Sequence, residues 1–181
     1  IDEVGLEAFS LPRLASALRV TAPALYHHFA NKSEILAEVA RAIVLQTRIP
    51  QRASSGSSWA DWLVNYGLNF RRVILRHHNA APVLLSFLPA DLVTDVWEEA
   101  AVFLEKSGVP KRLHVPILGG MEKLTLGVSL SEAMRQDAAD AGIFGRVNPR
   151  DHPVLTSALE RDQVTARQFY EQMMRSYLRG V

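Results

Sequence analysis

Apolar residues recur three and four positions apart along most of this chain, and no run alternates strictly between apolar and polar, so the pattern predicts an all-helical protein. Ser10 can cap a short helix over 11–18, with Pro12 in its first turn, where a missing N–H costs nothing. Thr21 can cap a second short helix from Ala22 to about Phe29, with Pro23 in its first turn. Asn31 begins a longer helix running to about residue 48. Its Asn-Lys-Ser-Glu run sets Glu34 at the third helical position for reciprocal capping, and Ile35, Leu36, Val39, Ile43 and Val44 form its apolar stripe. A polar breaker cluster over 50–58 then marks a domain boundary. Further helices are expected at about 59–77 (capped by Ser58), 91–106, 111–136, 154–159 and 163–179. Pro116 and the pair Gly119-Gly120 lie inside the 111–136 segment and can kink it, and Gly119, Gly120 and Gly127 mark either kinks or close helix approach. A Gly/Pro/Asp-rich loop is expected over 137–152.

Composition narrows the class but not the partner. The 181 residues are 48% hydrophobic and 22% charged, an ordinary globular balance with ample apolar surface to bury. The net charge is +1, from 20 Lys+Arg against 19 Asp+Glu. Within residues 1–48, Arg13, Arg19, Lys32, Arg41 and Arg48 are balanced by Asp2, Glu3, Glu7, Glu34 and Glu38, so charge alone points to no nucleic acid. The absence of cysteine excludes disulfide scaffolds, Cys-based zinc sites and thiol catalysis. No apolar run reaches the roughly 20 residues of a membrane span, so no membrane partner is expected. No nucleophile motif, phosphate loop or paired-carboxylate signature appears, so an enzyme is not expected.

The stretch from Ser10 to Val39 carries the functional signal. Two short capped helices meet at a tight turn over Arg19-Val20-Thr21, and Leu14, Ala15, Leu18, Val20 and Leu25 are spaced to lock them together. That is the logic of a helix-turn-helix, whose second helix enters the DNA major groove. Leu14-Ala15, Leu18, Val20, Pro23, Leu36 and above all the run Leu25-Tyr26-His27-His28-Phe29-Ala30-Asn31-Lys32 resemble the DNA-binding motif of the tetracycline-repressor (TetR) family. Ser58-Trp59, Phe70-Arg71-Arg72, Pro89, Phe103, Gly108 and Thr125-Leu126-Gly127 are similar to the C-terminal domain of the tetracycline repressor's own subfamily. The resemblance implies a DNA-binding domain over 1–48 and a helical effector-binding and dimerisation domain over 49–181. The family's first helix should precede residue 5 and is nearly missing, which is expected to reflect a truncated sequence rather than a truncated protein.

The resemblance also implies contacts. Ser10, Tyr26 and Lys32 match positions that hold phosphates, which fix register without reading sequence. Thr21, Ala22, Pro23, Ala24 and His27 match the base-facing surface, with Arg13 and His28 beside it; small residues at 22 and 24 favour apolar readout, for example of thymine methyls. Arg19 stands where the turn usually has Gly, at a cost of roughly 1–2 kcal/mol for a left-handed conformation. The implied effector pocket draws on Arg48, Trp62, Asn65, Tyr66, Phe70, Leu84, Phe87, Trp97, Ala100, Glu122 and Lys123. Each aromatic residue among them reads equally as ordinary core, and Glu122-Lys123 as a solvated or interface pair. Adjacent helical histidines point about 100° apart, so His27-His28 and His77-His78 are not expected to hold metal. Leu84, Phe87, Ala100 and Ser131 replace the residues that serve magnesium-tetracycline in the tetracycline repressor itself, so neither that complex nor any cofactor is expected.

The expected function is therefore a cytoplasmic, bacterial, ligand-responsive transcriptional repressor. It binds a double-stranded DNA operator as a homodimer, through a four-helix bundle of 111–136 and the last helix of each subunit, and is released by a small apolar or aromatic effector through a shift of helix 32–48, which joins the two halves and sets the separation of the reading heads. An activator of the same fold, or a small-molecule binder with a vestigial DNA head, are the alternatives.

Overall fold

The computed structural model describes residues 1–51, 58–135, 147–161 and 164–181. The breaker cluster over 52–57, most of the expected loop over 137–152, and the expected helix start at residue 163 lie outside the described residues. The described residues form nine α-helices and one 3-10 turn, and no strand. In chain order the helices are α1 (Leu11–Leu18), α2 (Ala22–Tyr26), α3 (Lys32–Val44), α4 (Trp59–Arg76), α5 (Leu84–Phe87), α6 (Ala90–Lys106), α7 (Lys111–Ala133), α8 (Pro153–Arg161) and α9 (Ala166–Arg179), with the 3-10 turn at Ala81–Val83 before α5.

Local chemistry sets most of the helix starts. The side chains of Thr21, Asn31 and Ser58 each accept a hydrogen bond from the backbone N–H three residues on, satisfying a donor that the first turn otherwise leaves free. Ser10 occupies its expected position before α1 but makes no such bond. Glu34 does reach back, but to the N–H of Ala30 at 2.7 Å rather than to that of Asn31. The last helix begins at a capping box in which Thr165 and Gln168 satisfy each other's backbone.

Two clusters make up the core. One joins α3, α4, the 3-10 turn, α5 and the C-terminal half of α7 around Ile43, Phe70, Ile74, Leu84 and Leu130. The other joins α4, α6, the N-terminal half of α7 and α9 around Trp62, Leu104, Ile117, Tyr170 and Met174. Helix α4 belongs to both and is buried on most of its circumference. The Arg71 guanidinium fastens it to α7, donating to both carboxylate oxygens of Glu132 at 3.0 and 2.5 Å, and α7 is joined to α9 by the hydroxyls of Thr125 and Tyr170, 2.7 Å apart.

The glycines in and around this core separate into distinct roles. A Cβ on Gly67 would lie 2.1 Å from the Tyr170 hydroxyl, and one on Gly120 would lie 1.9 Å from the Tyr177 hydroxyl. Gly120 therefore marks a close approach: Tyr177 crosses it to donate to the Pro116 carbonyl at 2.5 Å. Gly127 faces open space.

Candidate functional site

The N-terminal head is built on a small centre of Phe9, Ala15, Leu25 and Ile35, all buried. Arg19 follows α1 in the left-handed conformation, φ 56° and ψ 38°. Its N–H donates to the Ser16 carbonyl, and the Val20 N–H to the Ala15 carbonyl. This paired closure ends α1 and turns the chain toward α2, so the turn has the geometry of a glycine turn without the glycine.

Two expectations about the head need correction. Helix α2 stops at Tyr26 rather than near Phe29. Leu18 and Val20, expected to lock the two helices, are 57% and 44% exposed. Of the five residues expected to lock the helices, Ala15 and Leu25 are buried and Leu14 is half-buried.

The outward surface of this head carries the residues expected to meet DNA. Ser10, Arg13, Thr21, Pro23, Tyr26, His27, His28 and Lys32 are exposed, and Ala22 and Ala24 are half-buried. Tyr26 stands 55% exposed, a large apolar surface with no partner in the head. Lys32 is already engaged: its ammonium donates to the Phe9 carbonyl at 3.2 Å and sits 5.2 Å from the centre of the Phe9 ring.

The second part of the site is a narrow apolar cavity of about 50 Å³ between α4, α6 and α7. Trp62, Tyr66, Phe70, Trp97, Ala100 and Glu122 are among the residues that line it. Trp62 and Tyr66 stack with ring centres 6.0 Å apart, and the Trp62 ring meets Phe103 edge-on. Burial, reinforced by the negative charge of Glu122, pushes the Tyr66 hydroxyl up to about 12, so it is a neutral donor at physiological pH. The other expected pocket residues are elsewhere. Arg48, Asn65 and Lys123 are exposed, Leu84 is buried in the neighbouring core, and Phe87 packs against that same core. In their place stand Val44, Leu63, Gly67, Leu88, Val93, Val96, Leu118, Met121 and Thr125.

Val44 carries the consequence, because it belongs to α3, the helix that begins in the DNA head. Helix α3 and the segment that follows it are tied to α4 and α6 by further bonds. Arg41 donates to Asp91 at the start of α6 at 2.6 Å. The indole N–H of Trp62 donates to the Pro50 carbonyl at 2.8 Å, and the Asn69 amide to the Arg48 carbonyl at 2.7 Å. His77, just past α4, lies with one ring nitrogen 2.5 Å from Asp2 and the other 3.0 Å from Gln46. A second space, of about 350 Å³, lies between residues 1–4, α1 and α3; it is larger, and Phe9 and His77 are the rings in its lining.

Known proteins match both parts. Residues 1–39 match the family model for bacterial regulatory proteins of the tetR family. Over 184 residues the chain is 27% identical to the class D tetracycline repressor protein of Escherichia coli, covering 99% of this chain and 83% of that one. It is 32% identical to SCO0253, a TetR-family transcriptional regulator from Streptomyces coelicolor, over 76% of this chain and 80% of that chain, with a TM-score of 0.67. The chain belongs to the TetR family. A possible TetR-family regulator from Streptomyces coelicolor A3(2), 22% identical, shares the fold over 99% of this chain and 91% of that chain with a TM-score of 0.83.

As a TetR-family protein it is a ligand-responsive, DNA-binding transcriptional repressor, all-helical, with a helix-turn-helix ahead of a larger helical part. No helix among the described residues is long and apolar enough to cross a membrane. Most of the cavity residues that the sequence missed are aliphatic. An aliphatic residue facing a cavity has the same periodicity as one facing a core, so only the fold distinguishes them. Thr125 was visible as part of the family-like Thr125-Leu126-Gly127 run, but nothing in that run pointed to the cavity.

Proposed function

We propose that residues 1–48 form the operator-reading domain and residues 49–181 the effector-binding and dimerisation domain, and that an apolar or aromatic effector in the α4/α6/α7 cavity releases the operator by displacing α3. The observation that carries this reading is Val44: the helix that follows the recognition helix in the chain ends in the cavity wall. The cavity is narrow, so a ligand must part its walls to enter, and α3 is one of them. In this reading Tyr26 and Ser10 hold phosphates, while Thr21, Ala22, Pro23, Ala24 and His27 face base edges, with Arg13 and His28 at the margin. Lys32 reaches a phosphate by leaving Phe9. Two copies, joined through α7 and α9, set the spacing of two such heads on a palindromic operator. Val115 on α7 and Phe169 on α9 are exposed and apolar, which supports that pairing surface. A regulator that reads chromosomal DNA works in the cytoplasm, and the relatives are regulators rather than enzymes.

The test is fluorescence anisotropy of the protein on its own upstream DNA and on scrambled DNA at near-physiological salt. The expected result is a preference of roughly a thousandfold or more for its own DNA, abolished by Tyr26→Ala combined with His27→Ala. Equal, salt-sensitive binding to both DNAs would reduce the head to phosphate attraction.

The cavity residues do not suit magnesium-tetracycline. A hard cation takes six or so oxygen ligands or a suitable imidazole. The cavity offers one carboxylate, no histidine, and an alanine at Ala100, while Leu84 and Phe87 sit in the neighbouring core. Titrating tetracycline with the protein, with and without magnesium, should show no tight magnesium-dependent complex.

A further inference from the structure

The cavity wall holds one acidic side chain that has no ion-pair partner among the described residues. Glu122 lines a space otherwise made of rings and aliphatic side chains. Among the described residues no cation lies within ion-pair distance of its carboxylate and no donor is hydrogen-bonded to it. Lys123 follows it on α7 but is exposed to solvent. The other polar groups of the cavity differ from it. The Thr125 hydroxyl is bonded to Tyr170, and the Trp62 indole N–H to Pro50. Tyr66 offers a hydroxyl within the electrostatic reach of Glu122 and, with Trp62, a stacked pair of rings. A carboxylate without a countercharge beside electron-rich ring faces is the environment that stabilises an organic ammonium group, through charge pairing and cation–π attraction together.

We propose that the effector is a hydrophobic organic cation: a flat apolar or aromatic body bearing a protonated amine, with the body between Trp62, Tyr66, Phe70 and Trp97 and the ammonium on Glu122. This rests on the α4/α6/α7 cavity being the effector site. A neutral hydrophobic ligand would cover the carboxylate without a partner and meet its desolvation cost, and an anionic ligand would add repulsion to that cost. The single charge in the wall thus selects for the sign of the ligand, while the rings select for its shape.

The experiment uses three naphthalene probes of nearly one shape: naphthylmethylamine, a cation at neutral pH, naphthalenemethanol, neutral, and naphthaleneacetic acid, an anion. Each is titrated into the whole protein by calorimetry at pH 7. The amine is expected to bind roughly tenfold or more tighter than the alcohol, and the acid weakest. In Glu122→Gln, which keeps the side-chain shape, the amine should lose its advantage over the alcohol, and a thermal melt of the variant checks that it is folded. Should amine and alcohol bind equally in the unsubstituted protein, or the acid bind best, the charge selection is overturned while the cavity remains a binding site. Should the amine keep its advantage in folded Glu122→Gln, Glu122 is not the selecting group. If none of the three binds, the cavity reading itself fails and this inference with it.

Discussion

Single residues set how tightly the helices α4, α7 and α9 can close. Gly67 lets the Tyr170 ring lie against α4, with its hydroxyl on Thr125. A methyl group at position 67 would displace that hydroxyl, which is held by a buried bond rather than free at the end of a flexible chain. Gly67→Ala should therefore lower stability by about 1–3 kcal/mol, the usual cost of overpacking a well-filled core. Gly127→Ala, which meets nothing within 4 Å, should instead be neutral or stabilising by up to about 1 kcal/mol, through the better helix propensity of alanine. Denaturant melts of the two variants check the pair, and equal losses would contradict the packing account. Neither role could be read from the sequence: both glycines sit at ordinary positions in apolar helices, and only the arrival of Tyr170 from far along the chain separates them. Arg19 is the opposite case. Its left-handed conformation was legible because the family pattern has glycine at that turn, and the closing bonds from Arg19 and Val20 show the turn made in spite of the side chain.

At the scale of elements, the helix starts were the most legible feature and the helix ends the least. Thr21, Asn31 and Ser58 could be read as caps because a side-chain oxygen before an apolar-periodic run is a local signal with a local cause. The ends of α2 and α3 depend on what packs against the last turn, so both finish earlier than their periodicity suggested. The start of α9 at a Thr-x-x-Gln box was local too, and could have been found by the same rule. One cap reaches beyond its own helix. Asp61, in the first turn of α4, accepts from Arg175 on α9 at 2.7 Å as well as from Ser58. The Arg175 bond, followed by that of Ser58, holds its carboxyl below the ordinary value of 3.8. A carboxylate depressed in the folded state contributes stability that is present above its unfolded pKa and lost as pH falls through its folded one. The α4–α9 link should thus weaken below about pH 4. Asp61→Asn should flatten that part of the acid-unfolding curve while changing stability only slightly at pH 7, since both partners are well exposed and screened by solvent. Urea melts across pH 3 to 7 would show it, and an acid limb unchanged in the variant would assign the sensitivity elsewhere.

For the whole molecule, the general architecture and the helix that joins its halves were legible, but the side-chain contacts that make the join were not. The motif around Leu25–Lys32 indicated a head, and the aromatic run of α4 indicated a pocket. That Val44 belongs to both, and that Arg41 meets Asp91 across 50 residues, are facts of three-dimensional packing. They give the coupling a direction that can be measured twice. If effector and operator act through one shared helix, a factor by which effector weakens DNA must equal the factor by which DNA weakens effector. Val44→Ala, which removes wall surface from α3 alone, should shrink both factors together. Measuring effector affinity with and without operator, and operator affinity with and without effector, in this variant and the unsubstituted protein, tests the statement. A loss of effector affinity with the coupling factor intact would place the transmission in another helix.

The position of the indoles gives this protein a private optical instrument. Of its three tryptophans, Trp62 and Trp97 stand in the cavity wall, and Trp62 also holds the chain at Pro50 that follows α3. Their ultraviolet emission therefore changes colour and brightness when a guest arrives, and again when the segment beyond α3 lets go. A stopped-flow record of that glow, without any dye attached, would time arrival and release as separate events and show which comes first.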